Sequence, residues 1–508
     1  MILTNGTIRT LERSRPTVDE LIVEGAVVRS EPLGVGRQDR IDLGGRCVVP
    51  GFTDSHVHFP TWSIIRRWVS LEGCTSLPDM LGLVAAAAAE TPLDRWLVGY
   101  GWAGDLLPAT GSRARHVLDG ATGAVPTALW SKDMHTFWLN SEGIAKVACE
   151  LDADGDTVEV DERGEPTGIL REAAAFRFRE RWLAFSIDEY ADAVIEAIDV
   201  AHSRGVTAIH DKDGWIGAPA IWERVRDRGE LGLRVWQSVP PEQMTAYEGM
   251  HKAGAEGDFL RVGYIKLFVD GSLGSGTALM LGGGGVTTTS AVDLVSIIYE
   301  ASAAGWPVAV HAIGDMANRI ALDALEATSE AWRPRGLRQR VEHAQHLDPD
   351  DVPRFAALGV ACSVQFTDGV LSRDAVDGLP PSLAEGSFAF RTLSDSGAVI
   401  VNGSDAPLTE FDPLLGIRAA VARTLDERGP WRPEQALTVV EALEASTVWP
   451  AWLCGEERHR GRLVPGQLAD LTVLDRDPVT CPSDDLASIR VVATMVDGRW
   501  VHNPPPWD

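Results

Sequence analysis

Short apolar runs alternate with longer amphipathic stretches through the middle of the chain. The short runs are rich in Val, Ile and Leu, which is typical of buried parallel strands. The stretches between several of them repeat apolar residues every three to four positions, which is typical of helices. The pattern predicts strands over residues 48–53, 206–210, 233–239, 262–268, 307–311, 339–343, 360–365 and 399–402. It predicts helices over residues 188–204, 317–332 and 412–425. Eight strands with intervening helices indicate an α/β fold, a TIM-like (β/α)8 barrel.

Both ends of the chain carry shorter β-rich segments with turn residues between them. We therefore expect a small β-sandwich domain built from both termini, residues 1–47 and 461–508. These segments would enclose the barrel, residues 48–460. The interval from about residue 60 to 182 is too long for one crossover connection. It predicts an insertion after the first barrel strand, which we expect to cap the site.

Composition and charge exclude several functions. The chain has 508 residues, and its 46 basic and 73 acidic side chains leave a net charge of −27. This charge opposes binding to nucleic acid or to anionic membranes. The amino terminus lacks a signal-peptide pattern, and no apolar stretch is long enough to cross a bilayer. We expect a cytoplasmic protein that acts on a small molecule, without nucleic-acid or membrane partners; a homodimer is left open.

The six cysteines are widely spaced and form no C-x-x-C motif. This spacing argues against a disulfide framework and against a thiolate metal cluster. We expect reduced, mostly buried thiols.

Two histidines in the segment VVPGFTDSHVHF are the first candidates for metal ligands. Side chains at positions i and i+2 of a strand point to the same face, so His56 and His58 would project together. An isolated His-x-His is weak evidence, because histidine has many structural uses. Further candidates follow the later strands: Lys266, His311, His343 and Asp405. Because the carboxyl ends of barrel strands meet at one face, the sequence predicts a metal site there.

These motifs resemble the amidohydrolase superfamily, and within it amidohydrolase family 3, the YtcJ-like branch that includes N-substituted formamide deformylases. The resemblance covers nearly the whole chain and is carried by PGFTDSHVHF, KLFVDGSLGS, HAIGD, EHAQ, NGSDAP and GRLVPGQLADLTVLDRDP. It implies one or two divalent metal ions per chain, with zinc expected. By the family pattern, His56, His58 and Asp405 hold the more buried ion, and His311 and His343 hold the second.

The resemblance also implies that Lys266 is carboxylated by CO2 and bridges the two metal ions. A lysine ammonium cannot ligate a cation near pH 7, whereas a carbamate is anionic and offers two oxygens. The alternative for Lys266 is an ion pair with Asp270 or another carboxylate.

The implied function is a metal-dependent amidohydrolase. It would hydrolyse a non-peptide C–N bond of a small molecule, in an amide, formamide or cyclic amide, through a metal-activated hydroxide. Asp405 would move the proton from water to the leaving nitrogen, and His343 would help to polarise the carbonyl. The alternative for Asp405 is a turn residue in the sequence NGSD. Other functions left open on this fold are a mononuclear deaminase, an ester, lactone or carbamate hydrolase, and a non-catalytic scaffold.

Four residues of the predicted insertion are candidates for substrate contact. His135, Arg171 and Glu172 match segments that the family places over the barrel mouth, and Trp102 would form an apolar wall. For His135 the alternative is a structural histidine, and most tryptophans of this region are expected in the core. Relatives often carry an arginine after the lysine of the fourth strand, where this chain has Gly276. Its absence argues against a substrate held there by an anionic group.

Overall fold

The computed structural model describes residues 1–32, 39–102, 106, 113–132, 134–147, 158–171, 173–253 and 258–507. The chain forms two compact units. One contains Met1–Pro60 and Val194–Asp508, and the other contains Thr61–Ala193.

The first unit is built around a parallel sheet of eight strands that neighbour one another in chain order. These strands are β1 (Phe52–Val57), β2 (Val206–Asp211), β3 (Arg234–Val239), β4 (Leu260–Phe268), β5 (Val308–Ala312), β6 (Arg340–His343), β7 (Ala361–Val364) and β8 (Ile400–Asn402). Backbone hydrogen bonds join the chain beyond β8 to β1. The Asp405 amide donates to the His56 carbonyl at 2.7 Å, and the His58 amide donates to the Ala406 carbonyl at 3.0 Å. The predicted fold class is confirmed.

The start of the first barrel strand differs from the prediction. Residues 48–53 were expected to form one strand, but Cys47–Pro50 belongs to a different sheet, and β1 begins at Phe52. Pro50 has no amide hydrogen, and Gly51 passes so close to Thr207 that a Cβ atom would lie 2.3 Å from its side chain. The chain therefore changes sheets at the Pro-Gly step, and β1 continues to the first histidine of the motif.

Helices connect the strands. They are Phe59–Ile65, Leu77–Glu90, Arg113–Thr122, Ser141–Val147, Ala173–Trp182, Ile187–Ser203, Ala218–Asp227, Glu248–Ala253, Ala291–Ala303, Asp315–Ala327, Ser329–Trp332, Val352–Leu358, Asp368–Leu371, Arg373–Asp377, Pro381–Glu385, Phe390–Asp395, Pro413–Ala422, Val439–Ala445 and Val448–Leu453. In the described part of the chain, none of them has the length and apolar character needed to cross a bilayer.

The ends of the chain form two further sheets, the first from amino-terminal strands alone and the second from both ends. The first sheet has the strand order Val27–Arg29, Leu21–Glu24, Ile2–Thr4, Arg40–Asp42. The second has the order Arg499–His502, Val491–Val496, Leu471–Leu474, Cys47–Pro50, Thr7–Arg9, Thr17–Val18. Leu3, Val23, Leu471 and Met495 are buried together in one apolar core. Residues that are distant in sequence thus stabilise each other beside the barrel.

The second unit has its own six-stranded sheet. Its order is Val158–Val160, Pro166–Arg171, Thr136–Leu139, Thr127–Ser131, Leu97–Trp102, Val69–Ser70. Aromatic side chains fill one side of its core, where the rings of Trp130 and Phe137 stack with centroids 5.2 Å apart. In the chain, this unit lies between β1 and β2. The expectation that the insertion caps the site stays a prediction.

A salt bridge supports the helix Val439–Ala445, which lies against β8. The Glu441 carboxylate accepts two hydrogen bonds from the Arg391 guanidinium, at 2.8 and 2.5 Å. It also accepts the Thr438 amide at 2.7 Å, and the Thr438 hydroxyl accepts the Glu441 amide to complete a capping box. The Arg391 hydrogen bonds lower the pKa of Glu441 to about 2.

We predict that Glu441→Gln lowers the free energy of unfolding by about 1–2 kcal/mol at pH 7, because the glutamine preserves the cap and loses the charge-assisted bonds. Because the pKa of Glu441 is lower in the folded state, its ionised carboxylate stabilises the fold at pH values above the unfolded pKa. This stabilisation is lost as the pH falls through about 2. Urea unfolding should therefore show the difference from wild type shrinking between pH 4.5 and pH 2. Glu434→Gln, at an exposed ion pair, is the matched control. Equal losses in the two variants would contradict the prediction.

Candidate metal centre

The predicted ligands meet at the carboxyl ends of β1, β5, β6 and β8. The Nε2 atoms of His56 and His58 lie 3.4 and 3.5 Å from Asp405 Oδ1. The His343 ring centroid lies 5.0 Å from that of His56 and 4.4 Å from that of His311. Potential ligand atoms of His56, His343 and Asp405 all lie within 4.8 Å of one another. These side chains could share one or two cations.

Unusual backbone conformations shape this cluster. His343, Ala344 and Asp405 have φ values of 73°, 43° and 55°, in the left-handed region that such residues rarely adopt. Just before Asp405, a Cβ atom on Gly403 would lie 2.4 Å from the His56 amide nitrogen. Only glycine permits this approach of the chain beyond β8 to β1. The backbone is thus bent where the candidate ligands sit.

The two histidines of the first motif each use one ring nitrogen to contact a carboxylate. His56 Nδ1 lies 2.7 Å from Glu342 Oε2, and His58 Nδ1 lies 2.7 Å from Asp213 Oδ1. An ionised carboxylate only accepts hydrogen bonds, so Nδ1 carries the proton in both rings. When these rings are neutral, the Nε2 atoms that face Asp405 have free lone pairs, which is the form that binds a metal ion.

The other two histidines contact neutral acceptors. His343 Nδ1 donates to Gln365 Oε1 at 2.8 Å, and His311 Nε2 donates to the Gly271 carbonyl at 3.0 Å. The second nitrogen of each ring is therefore left with a lone pair. All four imidazoles are held in one tautomer by partners outside the cluster.

Burial keeps most of these imidazoles neutral. It lowers the pKa of His56 and of His311 well below the ordinary value, and that of His343 to about 3. At His58, burial also disfavours the proton, but Asp213 and Asp405 together raise its pKa. Neutral imidazole is the metal-binding form, so the three buried rings are suited to ligation near neutral pH.

Asp405 supplies the strongest indication of a cation. Its Oδ1 atom is buried and has no hydrogen-bond partner among the residues that the structure describes. Burial raises the pKa of this carboxyl to about 6, against the opposing effects of His58 and Lys266. A buried carboxylate oxygen without a partner is costly. The lone pairs of the nearby imidazoles and this oxygen form a donor set that fits a divalent cation.

Lys266 on β4 is buried and near the same charges. Its Nζ lies 4.9 Å from the Phe268 ring centroid, and it makes no hydrogen bond to the residues that the structure describes. Asp270, the alternative partner, instead accepts the amides of the two loops that follow β4 and β5, from Leu279, Ile313 and Gly314. Burial lowers the pKa of Lys266, although Glu342 and Asp405 oppose the shift.

Aromatic rings border the cluster in the same unit. Trp215 is partly exposed, and its ring centroid lies 5.6 Å from that of His58 and 5.7 Å from that of Phe268. Phe268 in turn lies 5.1 Å from His311. These two rings form an apolar surface beside the candidate ligands, and sequence analysis did not single them out.

Three of the four predicted substrate contacts belong to the second unit. Trp102 is buried in the core of the second unit, where its Nε1 donates to the Leu129 carbonyl at 2.9 Å. The His135 ring lies 5.6 Å from that of Phe176, and Arg171 pairs with Glu159 at 3.4 Å. Glu172 lies outside the described residues. Their contact with substrate stays a prediction.

Sequence analysis missed the partners that orient the ligands. Asp213 and Gln365 follow β2 and β7 closely, which is the same signal that identified the ligands. Glu342 was not predicted to face the site, because it precedes His343 on β6 and adjacent residues of a strand normally face opposite sides. His343 ends β6 with a left-handed φ, so both it and Glu342 approach His56.

A parallel barrel with imidazoles and a carboxylate gathered at the carboxyl ends of its strands is the architecture of a metal-dependent hydrolase. Comparison with known proteins agrees. The model of the amidohydrolase family matches residues 39–502, so the chain belongs to the amidohydrolase family.

Two relatives and one solved structure match over most of their lengths. YtcJ of Bacillus subtilis (strain 168) is 28% identical, over 98% of this chain and 98% of its own. The N-substituted formamide deformylase of Arthrobacter pascens is 26% identical, over 98% and 97%. An uncharacterized metal-dependent hydrolase from Pyrococcus horikoshii OT3 is 25% identical with a TM-score of 0.79, over 95% of this chain and 99% of its own. The likeness extends to the whole architecture.

Proposed function

We propose that this metal-dependent amidohydrolase hydrolyses a non-peptide C–N bond in an amide, formamide or cyclic amide of a small molecule. The observation that carries the proposal is the buried Oδ1 of Asp405, for which the described residues provide no hydrogen bond. This oxygen faces the Nε2 atoms of His56 and His58, whose Nδ1 atoms are already hydrogen-bonded. The formamide deformylase among the relatives supports this class of bond.

The residues that would hold the cation are His56, His58, His311, His343 and Asp405. Their nitrogen and oxygen donors suit zinc, which accepts imidazole and carboxylate in catalytic sites. When bound, the ion would supply Lewis-acid chemistry, which polarises a carbonyl and lowers the pKa of water.

Asp405 is the group proposed to move the proton. Hydrolysis of an amide requires a proton to leave the attacking water and another to reach the departing nitrogen, which is a poor anionic leaving group. Asp405 Oδ1 lies 3.4 Å from His56 Nε2 and 3.5 Å from His58 Nε2, so it is at the candidate centre. This carboxylate could accept the proton that leaves the water and then donate it to the departing nitrogen.

Lys266 is proposed to carry a carbamate. Its carboxylation would replace a buried cation, which makes no hydrogen bond to any described residue, with an anion able to ligate. A second buried lysine, Lys212, offers a contrast, because its Nζ lies 3.2 Å from Glu342 Oε1 and 3.4 Å from Ser238 Oγ. Of these two buried lysines, Lys266 is the better candidate.

A substrate screen tests the proposed bond class. Zinc-loaded protein should release formate or amine from N-substituted formamides, N-acyl amines or cyclic amides. Esters, lactones and carbamates of matching size, and amino-substituted ring compounds, form the comparison set. The proposal is contradicted if the highest kcat/KM belongs to an ester, lactone or carbamate, or if ammonia is released from a ring.

A further inference from the structure

A buried cluster of charges lies behind the candidate metal centre. Glu342, Arg340 and Lys212 have no exposed surface. Glu342 Oε2 accepts the His56 Nδ1 proton at 2.7 Å. Its other oxygen forms ion pairs, without hydrogen-bond geometry, with Arg340 Nε at 2.8 Å and with Lys212 Nζ at 3.2 Å. One carboxylate thus connects two cations to a candidate ligand.

The two cations are themselves fixed to the barrel. Arg340 Nη1 donates to the Ser55 carbonyl at 3.1 Å and to His210 Nδ1 at 3.0 Å. Lys212 Nζ donates to Ser238 Oγ at 3.4 Å. These contacts reach β1, β2 and the end of β3, so the carboxylate is held by groups on rigid elements.

We propose that Glu342 is a positioning residue for metal binding. Held by Lys212 and Arg340, it keeps the His56 proton on Nδ1 and the Nε2 lone pair turned toward Asp405. The inference rests on the proposed function only in taking His56 as a ligand. His343 and His311 donate their hydrogen bonds to neutral acceptors, although Asp270 Oδ1 lies 3.6 Å from His311 Nε2. Hydrogen bonds to carboxylates are thus made by the two histidines on the strand β1 side of the centre.

The effect on metal affinity follows from hydrogen bonding. A carboxylate acceptor orients a ligand imidazole and increases its basicity, and loss of such a partner typically lowers metal affinity by about 10–100-fold. A glutamine at this position keeps the shape, but it is neutral and has only one acceptor oxygen. That oxygen can face either His56 or the two cations, and no negative charge remains to pair with Lys212 and Arg340.

The test compares Glu342→Gln with Glu456→Gln. Glu456 is also a buried carboxylate of this unit, paired with Arg460 and with Arg261 at 3.2 Å. Zinc affinity is measured by competition with a chelator, and the Co²⁺ absorption spectrum reports the ligand field. We expect both variants to lose thermal stability. Only Glu342→Gln should bind zinc about 10–100-fold more weakly and change the Co²⁺ spectrum.

Two outcomes overturn the inference: a Glu342→Gln protein with wild-type affinity and spectrum, or equal losses of affinity in both variants. If Glu342→Gln does not fold, Lys212→Met replaces it. This variant leaves Arg340 in place and should still weaken zinc binding, and an unchanged affinity would overturn the inference. A His56→Ala protein separates the two proposals, because zinc binding unaffected by that change contradicts the proposed centre itself.

Discussion

Replacing Asp405 by asparagine should lower kcat by about 10⁴-fold, near the upper range for loss of a general acid–base group. Asparagine has the same shape, but its amide cannot accept and return a proton near neutral pH. The backbone at this position already adopts a left-handed conformation, which asparagine tolerates well. The fold should therefore survive. Steady-state hydrolysis of the best substrate from the screen, with circular dichroism of the variant, gives the measurement.

Asp470→Asn is the matched control for this prediction. Asp470 is a buried carboxylate of the same unit, and its Oδ2 pairs with Arg234 at 2.7 Å, away from the candidate ligands. That variant should lose stability and keep kcat within a few-fold of wild type. An Asp405→Asn enzyme with kcat close to wild type would contradict the assigned role of Asp405.

Removing the metal ion should lower activity by at least about 10³-fold and also destabilise the fold. Without a cation, Asp405 Oδ1 stays buried and finds no hydrogen-bond partner within the described part of the chain. Rebinding stabilises by about 4 kcal/mol when the free metal concentration is 1,000 times its dissociation constant. Activity and thermal unfolding are measured after chelation and again after zinc is restored.

Recovery of both activity and stability with zinc would support the centre, and recovery with magnesium alone would contradict its nitrogen-rich ligand set. Chelated protein that retains full activity and an unchanged unfolding temperature would contradict metal dependence.

Most of the barrel could be predicted from the sequence because apolar runs mark its strands. The prediction of residues 206–210, for example, falls within β2, which covers Val206–Asp211. The first strand could not be delimited, because the apolar run 48–53 continues through two sheets, and the close approach of Gly51 to Thr207 at their boundary is a tertiary contact. A pattern of side chains carries no signal for such a tertiary contact.

The candidate site was predictable where position alone identifies a residue. His56, His311 and Asp405 each fall at or just beyond the end of a strand, and the fold brings such ends together. The partner of His56 was not predictable, because Glu342 reaches it only through the left-handed turn at His343. Trp102 could not be assigned from the sequence, because a large aromatic side chain is equally typical of a substrate-binding wall and of a core. The structure places it in a core.

Metal content per chain, measured by mass spectrometry on protein purified without chelator, tests the central claim most directly. Wild-type protein should contain about two equivalents of zinc, as expected for a two-metal hydrolase centre. His56→Ala and Lys266→Ala should each contain less. A wild-type content near one equivalent that is unaffected by Lys266→Ala would contradict the carbamate bridge, and a content unchanged by His56→Ala would contradict the metal centre.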